Sequence, residues 1–315
     1  MSKAFILFAS LATASAAQSM TLEEAVAMTI DGNPQVSEQY AILQSTLRQK
    51  RAAAASFYPR VSVRAEVSEE ESEKVRGENV DNNFSPEEYN LTISQLLFDG
   101  FRTSADVDRL DQEALADRYA LLADADNLAL DVAGAYLGVL REQSLVDLAE
   151  KNVVDHEAVV ADIEGRLKKG WSSESDLAQA NARLASSKSS LLSSRNNLMD
   201  EEAEFYTLVG VYPEGLINPM VDQSSLPANL GAVLDKARAQ HPQIQSAIAD
   251  MQAAQQEIRN RKADYYPEVY LDLSAHHDDE FDGLEGENQY GRITLRVEYD
   301  LYDGGRRKAQ TESSA

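Results

Sequence analysis

Leu97-Phe98-Asp99-Gly100-Phe101-Arg102 returns 204 residues later as Leu301-Tyr302-Asp303-Gly304-Gly305-Arg306. A second echo lies upstream of each. Asn33-Pro34 opens a helical stretch that closes on Ser56-Phe57-Tyr58-Pro59, and His241-Pro242 opens another that closes on Asp264-Tyr265-Tyr266-Pro267, both pairs offset by 208 residues. Solenoid units recur at roughly 20 to 50 residues, so the duplicated unit is far larger than a solenoid repeat. Each copy reads as helix, strand, loop, strand, helix, and the second stops at Ala315, where its last helix should begin.

The strand pattern surrounds these echoes. Val61, Val63, Ala65 and Val67 alternate with Ser62, Arg64, Glu66 and Ser68, and Tyr89, Leu91 and Ile93 alternate with Asn90, Thr92 and Ser94. In the second copy Val269, Leu271, Leu273 and Ala275 alternate with Tyr270, Asp272, Ser274 and His276. Ile293, Leu295, Val297 and Tyr299 likewise alternate with Thr294, Arg296, Glu298 and Asp300. Period two predicts strands with one apolar and one polar face. A soluble sandwich with one buried face would read the same way. Two features favour a membrane barrel. Aromatics gather at strand ends (Tyr58, Tyr89, Phe98, Tyr265, Tyr266, Tyr290, Tyr299, Tyr302), as interfacial girdles require. Long polar loops, Glu69 to Glu88 and His277 to Asn288, join each pair, as on the outer side of such barrels.

Four strands cannot close a barrel, and an open edge cannot face lipid with its amides unsatisfied. The chain is therefore expected to supply one sector of an oligomeric barrel. Its polar strand residues Arg64, Glu66, Asp272, Arg296 and Glu298 would line a water-filled lumen.

The first seventeen residues read as a secretory signal: Lys3, an apolar run from Ala4 to Ala12, and Ala14-Ser15-Ala16-Ala17 for cleavage. No later run is apolar for the roughly 18 residues a membrane-spanning helix needs. The chain has no cysteine, which excludes disulfide, zinc-thiolate and thiol-nucleophile chemistry. Its formal net charge of −24 disfavours nucleic acid as a partner.

Residues 87 to 212 are free of proline. From Thr103 to Lys169, apolar positions recur at three and four spacing, as in Leu115, Tyr119, Leu122 and Leu128, Val132, Ala135. A helix of that length runs about 100 Å at about 1.5 Å per residue, which calls for coiled-coil packing against other long helices. Gly170 ends it, and Ser173-Glu174-Ser175-Asp176 caps a return helix that carries Leu177, Leu184, Leu191, Leu192 and Leu198 to about Leu208. The turn between them is short and holds Trp171, the chain's single tryptophan, so the two helices are antiparallel.

The resulting division is a signal peptide at 1–17 and a first repeat at 18–212, with strands 60–68 and 88–98 and a helical hairpin at 103–209. A connector at 213–230 leads to a second repeat at 231–315, with helix 242–264 and strands 267–276 and 290–302. The expected fold class is an α+β membrane protein, internally duplicated, with long coiled-coil hairpins and four transmembrane strands per chain.

In this order the motifs resemble the TolC family of outer-membrane efflux proteins. The features that carry the resemblance are the Asn-Pro-opened helix ending in Tyr58-Pro59-Arg60-Val61 and the strand exit Leu97-Phe98-Asp99-Gly100. With them go the hairpin Arg166 to Asp176 with its Leu- and Ala-rich return, and Phe205 to Gly210. The resemblance implies a homotrimer with a 12-stranded barrel in the outer membrane of a Gram-negative bacterium and an α-helical barrel in the periplasm. It implies a passive exit duct for drugs or secreted proteins (type I secretion), coupled to an inner-membrane transporter by a periplasmic adaptor. Carried over by position, adaptor contact falls on the hairpin tip Lys169, Gly170, Trp171, Ser172 and Ser173. The strand-to-helix turns fall on Asp99, Gly100, Asp303 and Gly304. The family often has aliphatic residues beside the tip glycine, where this chain has Trp171. The second long hairpin of the family has no counterpart before Ala315, which reads as C-terminal truncation.

Sharper chemical readings fail on spacing. His276-His277-Asp278-Asp279 is expected at the start of a solvent-facing loop, without the helical spacing of a metal site. Glu69-Glu70-Glu71 lacks the calcium-loop pattern. Asp303-Gly304-Gly305-Arg306 follows a strand of an antiparallel pair and reads as a turn rather than a nucleotide loop. No histidine stands near Ser172 and Ser173 to activate a nucleophile. The sequence is thus read as a conduit, not an enzyme, with no cofactor. The competing reading is a periplasmic structural or adhesion-related coiled-coil protein that forms no channel.

Overall fold

A computed structural model describes residues 19–75, 78–84, 87–220, 224, 226–279 and 287–314. The signal-peptide reading of residues 1–17 lies outside them. The helices are α1 (Leu22–Gly32), α2 (Pro34–Ala54), α3 (Arg102–Lys168), α4 (Glu174–Val209), α5 (Leu230–Gln240), α6 (Pro242–Ala263) and α7 (Arg306–Ser313). The strands are β1 (Arg60–Val67), β2 (Glu70–Val75), β3 (Glu78–Phe84), β4 (Glu87–Phe98), β5 (Glu268–Asp279) and β6 (Glu287–Glu298).

The duplication is visible in these elements. α5 begins and ends 208 residues after α1, at Leu230 and Gln240 against Leu22 and Gly32. α6 opens on Pro242 as α2 opens on Pro34, each with proline at the first helical position, where its missing N–H costs nothing. The Asn33 side chain accepts the Gln35 N–H at 2.8 Å, whereas His241 caps α6 without a side-chain hydrogen bond.

The described residues form two compact units, and only the second draws substantially on both repeats. One comprises the residues up to Ser37 with Leu122–Val233, the other Glu38–Leu121 with Leu234–Ala315. In the first, α1 lies on the α3–α4 hairpin, and Ala25, Val132, Ala135, Tyr136, Val139, Phe205 and Val209 form the core. The Thr21–Glu24 capping box starts α1. The second unit contains the sheet, and its helices bury mostly alanines (Ala105, Ala114, Ala116, Ala249, Ala253, Ala263), with Leu110 the one large apolar side chain buried among them. Polar ties supplement this thin core: Thr46 Oγ1 donates to Asp117 at 2.6 Å, and Ser246 Oγ to the Ala116 carbonyl at 3.1 Å.

The sheet has the order β1-β4-β5-β6, every neighbour antiparallel. β1 and β6 are open edges. No described helix is long and apolar enough to cross a membrane.

Three sequence expectations need correction. The loop expected from Glu69 to Glu88 contains a separate antiparallel ribbon, β2–β3, whose sequence is mostly polar and whose three apolar residues, Val75, Val80 and Phe84, set no apolar alternation. β5 and β6 extend further toward the loop, to Asp279 and from Glu287, so His276 to Asp279 belong to a strand rather than a loop. β6 also stops at Glu298 instead of continuing to residue 302, because its partner β5 begins at Glu268, directly after Pro267, and leaves residue 299 onward without a ladder partner.

Candidate functional site

Register decides which side chains share a face. Arg64 pairs with Asn90, Asn90 with His276 and His276 with Tyr290; Glu66 pairs with Glu88, and Glu88 with Asp278. Asp272 pairs with Ser94 and Thr294, Tyr270 with Arg296, and Glu268 with Glu298. Side chains directly opposite one another point the same way and alternate along each strand. All five residues expected to face a lumen (Arg64, Glu66, Asp272, Arg296 and Glu298) therefore share one polar face. The opposite face carries Val61, Val63, Leu91, Ile293, Leu295 and Val297, most of them more than half exposed, with Val63 at 73% and Ile293 at 75%. An exposed apolar face of this extent on a described sheet demands a non-aqueous neighbour. Tyr290 lies with His276 on the polar face, so it cannot serve in an aromatic girdle facing lipid.

The polar face is wired by charge. Ser94 Oγ donates to Asp272 Oδ1 at 2.5 Å, and Arg296 Nε to Asp272 Oδ2 at 3.0 Å. Arg296 also reaches Glu298 and lies 4.4 Å from the Tyr270 ring centre. At the loop end, His276 sits between two carboxylates: Nδ1 is 3.6 Å from Glu88 and Nε2 is 3.1 Å from Asp278. The Asp278 Oδ1 atom has no aligned hydrogen-bond donor. This arrangement was not foreseen, because it depends on cross-strand register.

The strand-to-helix turns repeat in atomic detail. Asp99 Oδ2 accepts the Thr103 N–H and hydroxyl at 2.7 and 2.6 Å, and Asp303 Oδ2 accepts the Arg307 N–H and Nε at 3.0 and 2.8 Å. Each aspartate thus caps the helix that follows. The Arg307 and Gly305 N–H groups, with the Arg307 guanidinium, hold the Asp303 carboxyl below the usual carboxylate range, against the opposing effect of desolvation. Gly100 and Gly304 have φ of 69° and 68°, and Phe101 and Gly305 follow with 68° and 90°. Glycine at the first position avoids Cβ strain. Phe101 accepts that strain and stacks edge-on against Phe98, ring centres 5.5 Å apart.

Asp264 joins the two turns, a role that spacing and periodicity do not signal. Its carboxylate takes Arg102 Nη2 at 2.7 Å and its carbonyl takes Arg307 Nη1 at 3.1 Å, while Arg102 Nη1 reaches Glu268 at 2.8 Å.

At the hairpin tip, Gly170 adopts φ 77° and Trp171 is 75% exposed, with Lys169 Nζ 5.4 Å from its ring centre. Ser173 and Asp176 complete a reciprocal capping box, and Ser172 Oγ adds a third donor to Asp176 at 3.1 Å. The Ser173 backbone N–H, then the Ser173 and Ser172 hydroxyls, keep the Asp176 carboxyl below its ordinary range. The tip is therefore a rigid turn presenting one uncovered indole.

Comparison with known proteins agrees with this geometry. The family described as "Outer membrane efflux protein" matches residues 25–211 and 233–315. Outer membrane efflux protein BepC of Brucella suis biovar 1 (strain 1330) is 28% identical over 225 residues, which cover 71% of this chain and 49% of that protein. The chain thus spans about half the length of this curated relative. Among solved structures, CusC superposes with a TM-score of 0.78 at 19% identity, covering 93% of this chain and 68% of that one. VceC of Vibrio cholerae gives 0.74 at 19%, covering 93% and 71%. The open state of MtrE of Neisseria gonorrhoeae gives 0.71 at 17%, covering 93% and 66%. At these identities the likeness is one of fold.

Proposed function

The chain belongs to the outer membrane efflux protein family, and on that premise we propose that it acts as an exit duct across the outer membrane, serving a tripartite efflux pump or a type I secretion system. It conducts rather than catalyses. The observation that carries this reading is the four-stranded sheet with one charged face, one exposed apolar face and two open edges. Such a sheet satisfies its edge amides and covers its apolar face when several copies close a barrel in lipid. Three copies would give twelve strands and a lumen lined by Arg64, Glu66, Asp272, Arg296 and Glu298.

The hairpin tip Lys169 to Ser173 is the proposed seat of a periplasmic adaptor, with Trp171 as its anchor. Exposed tryptophans on rigid turns are typical of residues on which binding energy concentrates. The adaptor would link the duct to an inner-membrane transporter, which chooses the cargo.

The test is fractionation followed by conductance in planar bilayers. Outer-membrane partitioning with stepwise, voltage-driven current supports the duct. Full recovery in the periplasm without detergent would sink it and leave the structural coiled-coil reading.

A further inference from the structure

We propose that β6 of one copy docks on β1 of the next in one register, with Glu298 opposite Arg60 and Arg292 opposite Glu66. This rests on the shared-barrel reading above and adds the residue pairing that closes the barrel.

Closure fixes how far each copy is displaced. Four strands about 4.8 Å apart, tilted about 35–45°, advance about 13–19 Å along the strand direction, which is about four to six residues for any number of copies. The displacement must be even, since an odd step would turn the polar face outward. Four and six residues remain.

The sheet's own ends choose between them. Within one chain, Arg60 lines up through Ser94 and Asp272 with Thr294. Glu298, the last residue of β6, lines up with Glu268, four residues closer to the helices. A four-residue displacement therefore brings the start of a neighbour's β1 flush with the end of β6. It also pairs all of β1 and keeps the faces matched: Val297 meets Val61, Leu295 meets Val63 and Ile293 meets Ala65.

Charge points to the same register. Among the described residues, Arg60, Glu66 and Arg292 have no ion-pair partner within their own chain. The four-residue displacement gives each an opposite charge across the edge, Arg60 to Glu298 and Glu66 to Arg292. Opposite charges facing across strands stabilise the pair, and like charges destabilise it. Six residues would set Arg296 against Arg64. No displacement would set Tyr290 against Arg64 and leave the strands untilted. Four residues in the reverse sense would overlap only 287–290 with 60–63.

The chain has no cysteine, so an engineered pair gives the only possible disulfide. Full-length protein carrying Val63→Cys with Leu295→Cys is oxidised in membranes with copper phenanthroline and run on non-reducing gels. The expected result is covalent dimers and higher ladders for this pair. Val63→Cys with Gly291→Cys, which reports zero displacement, and Ala65→Cys with Leu295→Cys, which reports six, are expected to stay monomeric. A ladder from either of the latter overturns the register and leaves the shared barrel standing. No ladder from any pair in membrane-inserted protein overturns both. As an independent check, Arg60→Glu should lower the temperature at which the assembled oligomer dissociates on gels, and adding Glu298→Arg should restore it. Failure of the double change to restore it counts against the pairing.

Discussion

Ile217 exchanges two hydrogen bonds with Tyr136: its N–H donates to the phenol oxygen at 2.8 Å, and its carbonyl accepts the phenol proton at 2.6 Å. The phenol oxygen also lies 2.8 Å from the Met20 carbonyl, which the Ile217 N–H reaches at 3.2 Å, so the one ring ties the α1 entry and the segment after α4 to the middle of α3. Tyr136 is fully buried beside Phe205, ring centres 6.3 Å apart.

Tyr136→Phe is expected to cost about 1–2 kcal/mol, because it leaves the Ile217 carbonyl without its donor while the core stays filled. Tyr136→Ala, which empties the core, is expected to cost about 3–5 kcal/mol. Unfolding by denaturant in detergent separates the two. Burial holds the Tyr136 phenol above its ordinary value; the Ile217 N–H opposes this, and Glu23 and Glu24 reinforce it. A raised phenol favours the fold below about pH 10 and loses that contribution as pH rises further. The wild type should therefore lose stability above about pH 10 more steeply than Tyr136→Phe. Parallel alkaline titrations of the two proteins check this.

The two strand-to-helix turns allow a matched comparison. A Cβ on Gly100 would lie 2.6 Å from the Ala263 carbonyl oxygen, whereas one on Gly304 meets nothing within 4 Å. Both glycines have the same left-handed φ, so Gly304→Ala carries only the backbone penalty, on the order of 1 kcal/mol. Gly100→Ala adds a clash with main chain that cannot swing aside and is expected to cost at least twice as much. Thermal dissociation of the assembled protein would rank them. Equal shifts would show that the Gly100–Ala263 approach does not matter.

These turns also mark how far sequence alone reaches. The Asp-Gly echo was legible because a left-handed turn capped by a carboxylate needs those two residue types. β1, β4, β5 and β6 were legible because one alternating set in each is apolar. β2 and β3 were not, since their sequence is mostly polar and its three apolar residues set no alternation. The Asp264 tie, the bracketing of His276 and the polar-face position of Tyr290 all depend on which residues register across strands or meet across more than a hundred and fifty positions of chain. Periodicity carries no such information. The end of β6 depends on register too, because its ladder runs out where β5 begins at Glu268.

Trp171 is the chain's only tryptophan, so its fluorescence reports on the hairpin tip alone. The Asp176 carboxyl is held below its ordinary range by Ser173 and Ser172. A depressed carboxylate contributes above its unfolded value, about pH 3.9, and the contribution fades as pH falls through the lower folded value. Trp171 emission should therefore be flat from neutral pH to about pH 4 and shift only below it. In Asp176→Asn the acid transition should disappear, because the amide cannot titrate. A transition retained in that variant would assign the shift to some other group.

The Asp272–Arg296 pair separates stability from conduction. Both residues are partly exposed on the polar face, where solvent screening leaves an ion pair little net effect on stability. Asp272→Asn and Arg296→Gln are each expected to leave thermal stability close to that of the parent. Their effect on permeation should be opposite in sign. Removing the carboxylate from a lumen wall lowers its attraction for cations, and removing the guanidinium raises it. Reversal potentials in a salt gradient would therefore move in opposite directions for the two single changes, and the double change should return close to the parent value. The shifts should shrink as salt rises from about 0.1 M to 1 M, where screening shortens to about 3 Å. If both single changes move the potential the same way, or neither does, the face carrying Asp272 and Arg296 does not line the pore.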